Sequence, residues 1–161
     1  MGEGQSKPVQ VSVTLIVRGG KLLAAYNPKW GSFTLPMTKV RLWEDLDVEG
    51  VRWREEWPDA AGRAAAEWLG RTDTQARRFL LDVADFQQSD RDGKLKYYHF
   101  RVFAVFVDEG ASLAPGAVAE WLTVEEWLDE DRWPISPTGR YLIQRLRTEA
   151  DQTGGAFPPE P

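Results

Sequence analysis

Apolar and polar side chains alternate along residues 9–17 with the two-residue period of a half-buried strand. The Gly19-Gly20 pair that follows favours a tight turn, because glycine adopts positive φ angles without steric cost. Residues 21–26 form a second, largely apolar run, which we interpret as the returning strand. The pattern therefore predicts an opening β-hairpin. The apolar positions of its first strand are Val9, Val11, Val13, Leu15 and Val17.

The next stretch lacks a regular period. Residues 27–42 mix Pro, Gly and Asn with isolated apolar side chains, so we expect a loop with a short strand near Phe33–Leu35. Residues 43–58 are rich in acidic and Trp side chains but match neither the helical nor the strand period. This segment is predicted to be an exposed excursion from the domain.

A helix is predicted from about Pro58 to Leu69. Proline suits the first helical turn, Asp59 complements the dipole at the helix N-terminus, and the Ala-rich interior has a high helix propensity. Gly70 is a natural C-terminal stop. We expect the Trp side chains of its apolar stripe to anchor the helix in the core, with stacking on a base as the alternative. The stripe consists of Trp57, Ala61, Ala64 or Ala65, and Trp68.

Two long strands are predicted in the second half of the chain, at 76–87 and 94–107, and a polar turn joins them. The second strand carries apolar residues on one face and polar or aromatic residues at mid-length on the other. We interpret these as a core face and a cleft face. The core face holds Phe100, Val102, Ala104 and Phe106, and the cleft face holds Tyr97, His99 and Arg101.

The remaining residues predict a short strand at 119–122, a small helix at 123–130 and a last helix from Ser136 to Arg147. Thr123 and Glu126 in the small helix have the spacing of a capping box. The order of these elements predicts an α+β fold with a mixed, mostly antiparallel sheet and helices on its faces.

The composition limits the function further. The chain has 161 residues and a net charge of −5, with no Cys and one His. This predicts a single cytoplasmic domain at 9–149, with flexible ends at 1–8 and 150–161, and excludes disulfides and Cys-based zinc sites. No apolar run is long enough for a membrane span, and the acidic balance argues against broad nucleic-acid binding.

The chain resembles a Nudix domain, a family whose signature reads G-x5-E-x7-R-E-U-x-E-E-x-G-U, where U is apolar. The Leu35-Pro36 and Lys39-Val40 pairs follow the hairpin as they do in the family, and Glu44 has the spacing of the first motif Glu. Residues 60–70 match the motif helix. Its matching positions are Arg63, Glu67 and Gly70.

The resemblance also covers the C-terminal part. Residues 119–127, with the sequence AEWLTVEEW, look like the family's usual ending of the sheet, and SPTGRYLIQRL resembles its closing helix. The resemblance therefore implies that the α+β fold is an α/β/α sandwich.

Several motif positions depart from the family. Met37 and Thr38 replace the two motif glycines, and Ala64 and Trp68 replace two of the three helix carboxylates. Arg63 follows Glu44 by 19 residues rather than 8, which implies 11 extra residues in an insertion at about 45–57.

The family hydrolyses nucleoside diphosphate-linked substrates with Mg²⁺, which neutralises the diphosphate and activates water. The resemblance implies Glu67 and Arg63 as catalytic residues and Glu67 with Glu44 as metal ligands. Because one helix carboxylate makes a poor magnesium site, we expect little or no hydrolysis. The domain would instead bind a nucleotide-type ligand or a protein partner.

Two alternatives remain open. In the first, the chain is a divergent but active Mg²⁺-dependent hydrolase in which Glu67 acts with carboxylates from the insertion. In the second, it is a structural interaction module that contacts a protein through the Trp-rich segment 43–57.

The candidate ligand-binding residues are Lys39, Tyr97, His99 and Arg101. Tyr97 would stack on a base or sugar, and Arg101 and Lys39 would meet a phosphate. For Arg63 and Glu67 a simpler alternative is an ion pair between successive turns of one helix.

Overall fold

The computed structural model describes residues 8–41, 54–70, 77–89 and 92–161. These residues form four strands, a helix, three further strands and two final helices, in that order along the chain. The strands are β1 (Val9–Arg18), β2 (Lys21–Asn27), β3 (Ser32–Thr34), β4 (Met37–Lys39), β5 (Arg78–Gln88), β6 (Leu95–Phe106) and β7 (Ala119–Leu122), and the helices are α1 (Trp57–Leu69), α2 (Val124–Leu128) and α3 (Pro137–Thr153).

The seven described strands form one sheet in the order β3-β2-β1-β6-β5. Strand β4 also pairs with β1, and β7 also pairs with β2. The pairing of β1 with β6 is parallel, and the other strand pairs are antiparallel. The prediction of a mixed, mostly antiparallel sheet is therefore confirmed.

Helices cover both faces of this sheet. Helix α1 packs on one face, where Ala65 and Leu69 contact Ile16, Leu23 and Val105. Helices α2 and α3 pack on the other face, over the larger apolar core. That core includes Val13, Leu15, Val102, Trp127, Leu142 and Ile143. The molecule is thus an α/β/α sandwich built on an α+β sheet, as predicted.

Strand β1 differs from its prediction because it is buried on both faces. Its polar residues Ser12 and Thr14 are fully buried under α1. The Ser12 hydroxyl donates to the carbonyl of Trp57 at 2.8 Å, and the Thr14 hydroxyl donates to the carbonyl of Ala61 at 2.7 Å. The alternation that predicted a half-buried strand therefore marks a helix-docking face, where each buried hydroxyl has a partner.

Helix α1 lies close to its predicted bounds and begins one residue earlier, at Trp57. Gly70 ends it in the left-handed conformation, with φ 65°, and donates its backbone N–H to the carbonyl of Ala66. A Cβ at Gly70 would also lie 3.2 Å from the Cα of Ala114, so glycine fits both the backbone angle and the space.

Two predictions of local structure were wrong. Residues 37–39, expected in a loop, form β4 and pair with β1, with Val13 opposite Met37. Helix α3 continues to Thr153 rather than ending at Arg147, so residues 150–153 are helical. Beyond the helix, Phe157 packs against the main core. The domain limits at 9–149 and the flexibility of the ends stay predictions.

Candidate functional site

Arg63 on α1 forms a two-point ion pair with Glu55. Its Nη2 lies 2.9 Å from Oε1 of Glu55, and its Nε lies 3.2 Å from Oε2. Among the described residues Arg63 bonds to Glu55 and not to Glu67, so the suggested helical pair of Arg63 with Glu67 is wrong. The geometric reason is that the guanidinium extends toward β4 and the start of α1, away from the next turn.

The same guanidinium also reaches β4. Nη1 of Arg63 donates to the Thr38 hydroxyl at 3.0 Å, and Nη2 donates to the backbone carbonyl of Lys39 at 3.1 Å. Arg63 therefore joins the helix, the carboxylate of Glu55 and strand β4. This places the backbone of Lys39 at a fixed distance from the helix.

Glu55 is the buried centre of this network and 8% exposed. Burial acts to raise its pKa, but the hydrogen bond from Arg63, the backbone N–H of Arg41 and the charges of both arginines outweigh it. The net effect is a pKa below the usual value of a glutamate. Glu55 is therefore held as an anion that anchors the helix.

Glu55 is one of several carboxylates in or beside the insertion, and the sequence patterns did not single it out. It precedes Arg63 by 8 residues, the spacing that the motif sets between its first Glu and its Arg. Counting backward from Arg63 would have found it, whereas counting forward from Thr38 led to Glu44. Glu44 lies outside the described residues, as does most of the segment 43–57, so their metal-binding and partner-binding roles stay predictions.

Arg41 and Glu55 also join the two ends of the intervening chain. The backbone N–H of Glu55 donates to the carbonyl of Arg41 at 2.9 Å. In return, the backbone N–H of Arg41 donates to the Glu55 carboxylate at 3.1 Å. The extra residues relative to the motif are thus accommodated between Arg41 and Glu55, before the anchoring glutamate.

The other end of α1 has a different character. Glu67 is exposed, and the adjacent Trp68 is half-buried against the Ile16 and Leu23 cluster. Both line a cavity of about 380 Å³. We call it the Glu67 cavity; its further lining includes Tyr26, Lys29, Trp30, Leu35, Pro36 and Met37.

The residues of α1 do not fit a magnesium site. Mg²⁺ is held in octahedral geometry by oxygen ligands, usually from one or two carboxylates together with phosphates and water. Glu67 is the one helix carboxylate retained at the motif positions, because Ala64 and Trp68 offer no oxygen ligand from their side chains. Within the described part of the chain, no group of three or more Asp, Glu or His side chains is close enough to hold a metal ion.

A second cavity of about 270 Å³ is lined by Lys39 and shares Met37 and Trp30 with the Glu67 cavity. We call it the Lys39 cavity. Lys96 provides a second cation, and Trp30, Tyr98 and Phe100 provide aromatic surface. Its remaining lining residues are Val11, Met37, Thr38, Ser89 and Thr138.

The other three ligand-binding candidates lie on the α1 face of β6, away from the Lys39 cavity. Asp82 on β5 pairs with both His99, at 2.6 Å from Nε2, and Arg101, at 2.9 Å from Nε. The Arg101 guanidinium also lies 4.7 Å from the ring centre of Trp57. These side chains are engaged with one another at the start of α1, and their role in ligand binding stays a prediction.

Tyr97 lies on the same α1 face but pairs with another residue. It packs edge-on against Phe86, with 4.8 Å between the ring centres. Its neighbour Tyr98, whose side chain points to the opposite face of the strand, lines the Lys39 cavity instead. The sequence alone gave no signal to prefer Tyr98 over Tyr97.

No family model matches the sequence, and no curated protein is significantly similar to it. Solved structures are similar across most of the chain. The MutT Nudix hydrolase from Burkholderia pseudomallei has 18% identity and a TM-score of 0.58, with 86% of this chain and 98% of that chain covered. The Nudix domain of Shewanella oneidensis NrtR, solved with ADP-ribose, has 14% identity and a TM-score of 0.61, with 92% of each chain covered.

The chain has the Nudix fold. A third similar structure is the C-terminal domain of mouse MUTYH in complex with human PCNA, with 15% identity, a TM-score of 0.59, and coverage of 93% of this chain and 92% of that chain. Proteins with this fold therefore include one described as a hydrolase, one bound to a nucleotide derivative and one bound to a protein. At such identities the fold alone is shared, and the function of this Nudix-fold domain must be argued from its own residues.

Of the described helices, none is both long and apolar enough to cross a membrane.

Proposed function

We propose that this Nudix-fold domain binds a nucleotide-type ligand in the Lys39 cavity and has little or no diphosphate hydrolase activity. The observation that carries the proposal is the contrast between the two cavities. Among the described residues, the Lys39 cavity is lined by two cations and aromatic rings with no acidic side chain, whereas in the Glu67 cavity the cation of Lys29 is accompanied by the carboxylate of Glu67.

The lining of the Lys39 cavity suits an anionic, aromatic ligand. Lys39 and Lys96 can each donate hydrogen bonds to a phosphate, and Lys96 is also paired with Asp92 at 3.3 Å. Trp30 and Tyr98 provide apolar ring surface on which a base can stack, an interaction worth about 1–3 kcal/mol per base. Ser89 and Thr138 add hydroxyl groups that orient polar edges of the ligand.

Hydrolysis needs groups that this helix lacks. Cleavage within a diphosphate requires strong neutralisation of its charge and an oriented water, which the family obtains from magnesium. A single exposed carboxylate at Glu67 supplies neither a metal cage nor a desolvated general base. The NrtR domain, which has this fold and was solved with ADP-ribose, supports binding as a use of the scaffold.

Calorimetric titration with AMP and ADP-ribose tests the binding proposal. The expected result is binding to the native protein that falls about tenfold or more in Lys39→Ala and Tyr98→Ala, equivalent to about 1.4 kcal/mol. Val118→Ala, at an exposed position outside both cavities, is the matched control. Arg101→Ala examines the other face of β6. If affinity fell in Arg101→Ala but not in Lys39→Ala, the proposed site would be wrong.

The hydrolase alternative is tested separately by following AMP release from ADP-ribose with millimolar Mg²⁺ or Mn²⁺. We expect no release above the background without protein. Metal-dependent turnover that is lost in Glu67→Gln would establish the divergent hydrolase instead. The second part of the proposal, little or no hydrolase activity, would then be wrong even if Lys39 contributes to binding.

A further inference from the structure

Met37 forms part of the wall between the two cavities. The residue lines both the Glu67 cavity and the Lys39 cavity, and Trp30 is the other residue that lines both. Met37 lies on β4 opposite Val13 and packs against the main core, so its side chain is supported from below by the sheet. The wall is therefore a built part of the fold.

Each cavity alone is small. Sites for small molecules usually measure roughly 300–1,000 Å³. The Lys39 cavity, at about 270 Å³, lies below this range, and the Glu67 cavity, at about 380 Å³, lies just inside it. A ligand with two bulky halves would need both cavities, and its linker would have to cross the wall at Met37.

The chemistry of that wall disfavours a charged linker. A diphosphate keeps a low free energy only when water or hydrogen-bond donors surround its oxygens. The thioether of Met37 donates no hydrogen bond, and the Trp30 ring offers mainly apolar surface. Beside the wall, the described lining of the Lys39 cavity has two lysines and no acidic side chain, whereas in the Glu67 cavity the carboxylate of Glu67 opposes the attraction that Lys29 would exert on a second phosphate.

Resting on the proposed function, we propose that Met37 is a specificity-determining residue that restricts this site to ligands with a single phosphate group, such as nucleoside monophosphates. The base occupies the Lys39 cavity and the phosphate meets Lys39. Met37 denies a diphosphate-bridged ligand access to the Glu67 cavity. The second half of such a ligand therefore adds no affinity.

The test measures the dissociation constants of AMP and ADP-ribose by calorimetry in metal-free buffer and compares their ratio between proteins. The proteins compared are the native protein, Met37→Gly, Met37→Ala and Met37→Leu. In the native protein ADP-ribose should bind no more tightly than AMP. Removing the side chain should improve ADP-ribose relative to AMP by about tenfold. Met37→Leu, which keeps an apolar side chain of similar volume, should retain the native ratio.

Thermal unfolding identifies which variants are folded. If Met37→Gly is not folded, the ratio is measured in Met37→Ala instead. A ratio that stays native in the folded glycine or alanine variant, while AMP still binds, overturns the role of Met37 and leaves the proposed function intact. The same holds if the native protein already prefers ADP-ribose by tenfold. If neither AMP nor ADP-ribose binds the native protein, the proposed function itself fails and the role of Met37 fails with it.

Discussion

The two ends of helix α1 differ in what holds them and in what they offer. At the N-terminal half, Arg63 and the buried carboxylate of Glu55 join the helix to β4, and the hydroxyls of Ser12 and Thr14 join it to β1. At the C-terminal end, Glu67 is exposed and has an indole as its neighbour. The residues that fix the position of this helix are therefore different from the one motif carboxylate that its C-terminal end retains.

The largest effect is expected from Arg63→Ala. The substitution leaves the buried carboxylate of Glu55 without its guanidinium and removes the bonds to β4. Because Arg63 is itself partly exposed, we expect a loss of about 2–3 kcal/mol of unfolding free energy, below the 3–5 kcal/mol typical of fully buried pairs. Urea unfolding measures the change. The double variant Arg63→Ala/Glu55→Gln should recover part of it, and a double variant as unstable as the sum of both single variants would contradict the pairing.

A smaller effect should follow from pH. The pKa of Glu55 is lowered in the folded protein, so its contribution to stability is fully present above the pKa of an unfolded glutamate, about 4.3. That contribution is lost as the pH falls through the lowered folded-state pKa. Glu55→Gln removes this component, so the stability of the variant relative to the native protein should be lowest near neutral pH, and the difference should shrink as the pH falls below the pKa of an unfolded glutamate. Thermal melts between pH 3 and 7 would test this, and a constant difference would contradict it.

Asp82→Asn should have a more modest effect at the same end of the helix. The Asp82 side chain is 43% exposed, and its pairs with His99 and Arg101 are accordingly screened by water. Exposed pairs contribute about 0.2–1 kcal/mol, so the variant should lose no more than about 1 kcal/mol. Binding of AMP should be unchanged if the Lys39 cavity is the site. A clear loss of affinity for AMP without a loss of stability would indicate that the ligand binds on the α1 face of β6.

Glu67→Gln should have the smallest effect. Glu67 is exposed, and no hydrogen bond or ion pair of its side chain is found among the described residues, so the unfolding free energy should change by less than about 0.5 kcal/mol. Addition of Mg²⁺ should not raise the melting temperature of either the native protein or the variant. A magnesium-dependent rise in the native protein that is absent in Glu67→Gln would show that this end of the helix holds a metal after all.

The parts of the fold that local sequence encodes could be predicted. The opening hairpin, the helix ending at Gly70 and the Thr123 capping box each depend on residues within a few positions of one another. Strand β4 could not be predicted, because its three residues show no period and gain their structure from pairing with β1. The helical nature of residues 150–153 was hidden by the Gly and Pro residues that follow them.

The candidate site was predictable only in part. Lys39 was found because it follows a motif-like Leu-Pro turn, and Glu55 was within reach of a backward count from Arg63. The choice between Tyr97 and Tyr98 depends on which face of β6 adjoins the cavity, and this follows from the parallel pairing of β6 with β1. Likewise, the wall at Met37 exists only when β4 is in place, so no local pattern could reveal it.

The paired hydrogen bonds between Arg41 and Glu55 have a practical consequence for protein engineering. Because these two positions are already held together, a foreign peptide exchanged for residues 42–53 would join the scaffold at two neighbouring points. Doubling the length of such a graft costs only about 0.6 kcal/mol in closure entropy. The two ends of such a peptide would therefore be held close together, provided that the glutamate and both arginines that contact it are retained.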